Sequence, residues 1–198
     1  MADYTEENRL KEIGYKIIGG VDEAGRGPLA GPVFASCVIL PQGLEDLGIN
    51  DSKKLSPKKR DELFDFIKEK AIAYSIASAS EKEIDEMNIL NATFLAMKRA
   101  VCSLEIKPDI LLVDGNRKPG TGIEEMTLVK GDSKSISIAA ASILAKVSRD
   151  RYMIELDKKY PEYQFAKHKG YPTKLHYEMI RKYGVSPVHR VTFLKKMH

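Results

Sequence analysis

Apolar positions along the chain fall into short blocks and longer periodic stretches, and their spacing predicts the elements. Residues 1–14 are polar, acidic at the start, and read as a short frayed helix. Tyr15 to Asp22 reads as a strand. Gly31 to Leu40 reads as a second, ended by Pro41 and Gly43, and the small and β-branched residues from Ala71 to Ala79 as a third. These three predict a meander with the Gly25–Gly31 turn at one edge. Ser56 and Pro57 suit the N-cap and first position of a helix reaching about Lys70, with Leu63, Phe64, Phe66 and Ile67 on its apolar face. Over residues 81–104 Ile84, Met87, Leu90, Phe94, Leu95 and Val101 recur at helical spacing, and Ser80 with Glu83 forms a capping box. Ile110-Leu111-Leu112-Val113 is a continuous apolar run ending in Asp114-Gly115, the pattern of a buried, parallel strand with its acid at the C-terminal end. Thr127 to Lys130 reads as a short last strand. Gly131-Asp132-Ser133 opens a helix from Ile136 to about Tyr160. Residues 138–145 are apolar nearly all round, so that helix is expected to be buried against the sheet. Gly170-Tyr171-Pro172 breaks the chain, Thr173 caps an amphipathic helix to about Tyr183, and the tail from Pro187 to His198 is basic.

Composition narrows the class. Apolar residues at 43% and charged ones at 30% of 198 suit a globular protein rather than a disordered one. A chain of this length fits one domain, 1–198, with about 161–198 a helical and basic C-terminal extension. The net charge of +4 permits a nucleic-acid partner without demanding one. Cys37 and Cys102 have no metal or redox spacing and read as free thiols of a reducing compartment. No leader segment and no apolar run near ~18 residues is present. The expectation is a cytoplasmic protein with no membrane partner.

The chemistry concentrates around Val21-Asp22-Glu23-Ala24-Gly25-Arg26-Gly27-Pro28. Two carboxylates close a strand, where they could hold a hard metal ion. The glycines permit positive φ and close approach by another molecule, and Arg26 offers a planar fork suited to phosphate. The same residues also fit a strand ending in a polar loop with a Glu23–Arg26 ion pair. Asp114, at a strand end, and Asp132, at a helix start, join them by position. In α/β sheets these ends cluster at one edge. Converging carboxylates repel unless cations lie between them. Oxygen-only ligation selects Mg²⁺ or Mn²⁺ over zinc, and two such ions roughly 3.5–4 Å apart suit phosphodiester hydrolysis. Taken singly, Asp132 also reads as a helix cap and Asp114 as a turn aspartate. Lys53 and Lys54 read as a solvated loop pair, and Tyr171 reads equally as a packing residue. His168, between Lys167 and Lys169, is expected to be solvent-exposed, with contact to a phosphate as the alternative.

Asp-Glu-Ala-Gly-Arg-Gly-Pro-Leu-Ala-Gly-Pro-Val (22–33), Asp-Ser-Lys-Lys-Leu (51–55), Val-Asp-Gly (113–115), Lys-Gly-Asp (130–132), Ile-Ala-Ala-Ala-Ser-Ile-Leu-Ala-Lys (138–146) and Gly-Tyr-Pro-Thr (170–173) occur in this order. In these motifs the chain resembles the ribonuclease HII family, from about residue 15 to 194. The resemblance implies an α/β, ribonuclease H-like fold: a mixed five-stranded sheet flanked by helices, with a helical C-terminal part. It implies a metal-dependent endonuclease acting on RNA–DNA hybrid and on DNA duplex with embedded ribonucleotides. By motif match Asp22, Glu23, Asp114 and Asp132 would be the metal-binding catalytic acids for two Mn²⁺ or Mg²⁺ ions. Gly25, Arg26 and Gly27 would read the 2′-hydroxyl, which distinguishes RNA from DNA, and Tyr171 would pack on the neighbouring sugar. At least one of Lys53 and Lys54 would contact phosphate, with Lys130, Lys134 and Lys146 as weaker candidates. The sister ribonuclease HIII type carries a substantial extra N-terminal domain, and only 21 residues precede Asp22 here. The tail Val191 to Lys196 lacks a clear sliding-clamp-binding peptide, so no clamp interaction is expected, and the protein is read as a monomer. A junction resolvase on the same acidic fold would have no 2′-hydroxyl for Gly25–Gly27 to find. A non-catalytic hybrid-binding module would be expected to lack one or more of the four acids. The spacing Gly25-x-Gly27-x-x-x-Gly31 fits neither a dinucleotide fingerprint nor a P-loop.

Overall fold

The computed structural model describes residues 2–44 and 48–195. Lys196 and His198 of the expected basic tail lie outside them. The elements follow in the order α1 (Thr5–Glu12), β1 (Ile18–Ala24), β2 (Val33–Ile39), α2 (Pro57–Lys70), β3 (Ala73–Ala79), α3 (Glu81–Cys102), β4 (Ile110–Asp114), β5 (Glu124–Leu128), α4 (Ile136–Lys159), α5 (Phe165–His168), α6 (Lys174–Tyr183) and α7 (Val191–Leu194). The five strands form one mixed sheet in the order β3-β2-β1-β4-β5. β1, β2 and β3 are the expected antiparallel meander, and β4 and β5 add in parallel beyond β1.

Period-two alternation divides the sheet between two helical layers. Leu111 and Val113 of β4 face α3, packing with Ala92, Ala96 and Val101, whereas Ile110 and Leu112 face Ile138 of α4. Gly20 marks where β1 and α4 come closest: a Cβ there would stand 2.1 Å from the Ser137 carbonyl carbon. That contact fixes α4 against the strand that carries Asp22 two residues on. The caps are those the sequence implies. Ser56 accepts from the Lys59 amide, Ser80 and Glu83 close a capping box, and Thr173 accepts from the His176 amide.

Three local expectations are corrected. β1 runs from Ile18 to Ala24, later at both ends than the expected Tyr15 to Asp22, and still carries Asp22 and Glu23 at its C-terminal end. The last strand runs from Glu124 to Leu128, not Thr127 to Lys130, because Lys130 turns left-handed at φ 57° and ends the extended run. Its acidic start hid it, but Glu125 is buried and its carboxylate accepts from the Gly120 and Thr121 amides. His168 is buried, not solvent-exposed. Its Nε2 bonds the Tyr163 carbonyl at 2.9 Å and its Nδ1 accepts from the Gly170 amide at 3.2 Å, while the exposed Lys167 carries the basic character outward. One further bend was not foreseen: α3 kinks at Asn88 (φ 70°), whose Oδ1 recaps the helix at the Leu90 and Asn91 amides.

Replacing Gly20 with alanine drives a methyl group into the backbone of α4, which cannot yield as a side-chain tip would. Gly20→Ala is expected to cost about 3 kcal/mol, the upper part of the range for overpacking. Urea unfolding of the two proteins measures this, and an unchanged midpoint would refute the close approach.

Candidate active site

Asp22 and Glu23 are consecutive on β1 and therefore face opposite sides of the sheet. Asp22 is buried under α4, where its Oδ1 accepts from the Glu23 amide at 2.7 Å and Ser142 donates a second hydrogen bond. Glu23 faces the α3 side, with Arg26 Nη1 3.5 Å from its Oε1. The parallel register pairs Val21 with Val113, so Asp114 stands in the row beside Asp22. Asp114 Oδ1 accepts from the Gly131 amide at 2.6 Å, which ties β4 to the 3-10 turn Gly131–Ser133 carrying Asp132. Asp132 stands near Asp51, an acid not anticipated at this site, whose carboxylate caps the turn holding Lys53.

The acids strain against one another. Burial pushes Asp22 well above the usual carboxylate range, and the charges of Glu23 and Asp114 push the same way. Burial also raises Glu23, against the pull of Arg26. Asp132 is raised by burial and then by Asp51 and Asp114. Burial alone would lower Lys53, but Asp22, Asp51, Asp132 and Asp114 together hold it above its ordinary value. Thus the four expected acids gather at one sheet edge, with Lys53 as their nearby cation. Among the described residues, no three His, Cys, Asp or Glu side chains close to metal-ligand distance of one point. Each acid is instead turned to an amide, a hydroxyl, Arg26 or Asp51. The donor set is all oxygen and mutually repulsive, which fits a hard divalent cation.

A cleft of about 450 Å³ runs from Glu23 across Gly25, Arg26 and Gly27 to Lys53, Lys146 and Tyr171. Lys54 does not line it. A second cleft of about 320 Å³ adjoins it through Glu23 and Arg26, bringing in Asp114, Asn116 and Arg117. Tyr171 is 38% exposed, its ring 5.8 Å from Lys146 Nζ and 5.7 Å from Arg149 Cζ. The loop from Gly25 to Pro32 is held from beneath by two buried arginines. Arg190 donates to the carbonyls of Gly31 (2.8 Å), Arg26 (3.0 Å) and Gly25 (2.6 Å). Arg149 donates to Pro32 (3.1 Å), Ala30 (3.1 Å) and Lys169 (3.0 Å). Gly25, at φ 99°, must be glycine, since a Cβ would lie 2.0 Å from Arg149 Nε. Gly25, Arg26 and Gly27 all line the wall of the larger cleft.

Sequence reasoning missed Asp51, Ser142, Arg149 and Arg190 as parts of this site. Ser142 carried a signal, as the one hydroxyl within the otherwise apolar run 138–145. Asp51 stood in a motif read only for its lysines.

The family model described as Ribonuclease HII matches residues 19–197. A curated ribonuclease HII from Caldicellulosiruptor bescii is 57% identical over 191 residues, spanning 96% of this chain and 93% of that protein. Among solved structures, the ribonuclease H2 of Pyrococcus horikoshii OT3 superposes with a TM-score of 0.75 at 32% identity, over 89% of this chain and 93% of that one. The RNase HII of Archaeoglobus fulgidus, solved in a complex with PCNA, gives 0.76 at 27%, over 88% and 94%.

Two outcomes follow for the metal-free protein. Asp22→Asn keeps the oxygen that accepts from Glu23 but removes a buried charge from among like charges. Its thermal midpoint should rise by roughly 2–4 °C, the shift about 1 kcal/mol produces at this size; a fall would contradict the repulsion. His176 and His189, buried in the C-terminal part, are held down at about 4 by burial, which disfavours the imidazolium. Between about 6.5 and 4 the unfolded chain binds protons that the folded chain refuses, so their stability contribution is full above 6.5 and is lost as pH falls to about 4. The stability advantage of wild type over His176→Asn should therefore shrink across that window, a double difference in which the oppositely signed carboxylates cancel. A constant difference would show that the imidazole is not buried in its neutral form.

Proposed function

The chain belongs to the ribonuclease HII family, and on that premise we propose that it is a metal-dependent endoribonuclease. It cuts the RNA strand of RNA–DNA hybrids and nicks DNA duplex 5′ of embedded ribonucleotides, leaving 3′-hydroxyl and 5′-phosphate ends. This suits ribonucleotide removal during DNA replication and repair in the cytoplasm, by a monomer of one domain. The observation that carries the reading is that the cleft lined by the Gly25–Gly27 loop and the exposed Tyr171 begins at Glu23, while strand register and the Gly131 amide set Asp22, Asp114 and Asp132 beside that acid.

Asp22, Glu23, Asp114 and Asp132 would hold Mg²⁺ or Mn²⁺. Two such ions, when bound, supply an activated water and charge stabilisation at the leaving 3′-oxygen. The remaining work belongs to the chain. Gly25, Arg26 and Gly27 line the cleft, and their amides with the Arg26 guanidinium would address the 2′-hydroxyl and its phosphate. Lys53 offers a phosphate contact beside the acids, positioning the strand without reading its sequence. The Tyr171 ring packs on the sugar that follows the cut, so a ribose on one side and a deoxyribose on the other are both inspected. No protein nucleophile is required.

A labelled DNA duplex with one ribonucleotide, incubated with Mg²⁺ or Mn²⁺ against an all-DNA control, tests this. A single nick 5′ of the ribonucleotide is expected, abolished by chelator and by Asp22→Asn, and Asp132→Asn should lose orders of magnitude in rate. Near-normal turnover by Asp132→Asn would remove that residue from the site. Cutting within long RNA but not at the single ribonucleotide would overturn the junction reading of Gly25–Gly27 and Tyr171.

A further inference from the structure

Behind Tyr171 lies a chain of buried imidazoles whose hydrogen bonds run in one direction. The Ser186 amide, a fixed donor, points at His189 Nδ1 at 3.0 Å, with the Ser186 hydroxyl 2.7 Å from the same nitrogen. A nitrogen that accepts from an amide carries no proton, so neutral His189 is protonated on Nε2. That Nε2 stands 3.1 Å from His176 Nε2, which must then accept. The His176 proton is thereby placed on Nδ1, 3.0 Å from the Tyr171 carbonyl, to which it donates. The same logic orients His168, stacked 4.3 Å from His176: its Nδ1 accepts from the Gly170 amide, so its Nε2 donates to Tyr163. His176 and His189 are almost wholly buried, and the Phe165 ring lies against both.

The backbone of Gly170 and Tyr171 is engaged at every polar atom. The Gly170 amide meets His168, the Gly170 carbonyl accepts from the Leu29 amide at 2.8 Å, and the Tyr171 amide donates to the His168 carbonyl at 2.9 Å. The Tyr171 carbonyl accepts from both His176 and the Thr173 amide. Only the Tyr171 side chain is left free to enter the cleft. The next residue after His189 is Arg190, which holds the Gly25 and Arg26 carbonyls on the opposite wall.

We propose that His176, oriented by His189 and Ser186, is a positioning residue that sets Tyr171 against the Gly25–Gly27 loop and so determines selection of the single-ribonucleotide junction. This rests on the reading of Tyr171 given above. A substrate with one ribonucleotide depends on both walls being in register. A long hybrid offers RNA on each side of many cut sites and depends on that register less. A displacement near 1 Å in a positioning group can cost about a hundredfold in rate, and it should fall on the junction substrate.

Two substitutions of His176 separate the relay from simple packing. The amide nitrogen of asparagine can take the place of Nδ1, so His176→Asn keeps the donor to Tyr171 and loses the link to His189. The longer glutamine reaches the Nε2 position, so His176→Gln keeps an acceptor for His189 and loses the bond to Tyr171. The quantity read is the ratio of kcat/KM on the single-ribonucleotide duplex to kcat/KM on a long hybrid, with thermal midpoints measured alongside. His176→Gln is expected to lower the ratio by about tenfold or more, through kcat rather than KM, and His176→Asn to retain most of it at a similar loss of stability. Equal ratios in wild type and His176→Gln, or ratios that merely follow the thermal midpoints in both variants, would overturn the proposal. Tyr171→Ala is the control. If it leaves the ratio unchanged, the role of Tyr171 itself fails and the proposal with it. If it lowers the ratio while His176→Gln does not, only the positioning role fails.

Discussion

Six backbone carbonyls, of Gly25, Arg26, Ala30, Gly31, Pro32 and Lys169, converge on the guanidinium groups of Arg149 and Arg190, and the site depends on that meeting. A loop this rich in glycine and proline has no ladder to satisfy its carbonyls, and burying them unpaired would cost free energy at each one. The guanidinium supplies donors in a fixed fork, and a charged donor makes the stronger bond, about 1.5–3 kcal/mol. Both side chains are fully buried, and neither makes a hydrogen bond to a carboxylate among the described residues. Burial accordingly lowers both below the ordinary arginine range. The chain retains two costly internal charges, and in return the loop has a shape before any substrate arrives. The same arginines join distant parts of the sequence, Arg149 from the long central helix and Arg190 from the C-terminal segment, so the C-terminal part completes the site as well as covering it.

The opposing tension sits a few residues away. Asp22, Glu23, Asp114 and Asp132 are placed by strand register and by one amide bond at Gly131, not by attraction to each other. Their mutual repulsion is a standing cost to the fold, offset in part by Lys53 and Arg26. Such an edge is stable only because the sheet behind it is not negotiable. Gly20 lets α4 lie directly on β1, and the apolar start of α4 seals the face beneath Asp22. Stability is generated in the layers and spent at the rim, an arrangement expected where a protein holds a charge constellation for binding.

Much of this was readable from the residues. Strand and helix periods placed β1 to β4 and the long helices within a few positions, since apolar pattern and caps both report local geometry. The four acids and the glycine-rich loop were legible because they stand at element ends. What stayed hidden was tertiary. Arg149 looks like any helical arginine, and only the chain folded over it shows that it faces inward. His168 sat between two lysines and read as surface, yet the turn at Gly170 needed an acceptor and drew it in. Glu124 and Glu125 disguised an edge strand, because strand propensity does not foresee a carboxylate held by two amides. Asp51 lay in a recognised motif, but nothing in its spacing told that it would meet Asp132.

The central claim is that the loop and the Tyr171 turn are rigid walls in the free protein. Native-state hydrogen exchange at the amides of Leu29, Gly31, Tyr171 and Arg190 tests it most directly, since Leu29, Gly31 and Arg190 bond Gly170, Val188 and Leu29 between the loop and the C-terminal part, and Tyr171 closes its own turn on His168. Without substrate or metal, the account predicts protection comparable to that of the central strands, lost only with global unfolding. Fast exchange at these four amides, with the strands still protected, would mean the walls form only around substrate and would contradict it.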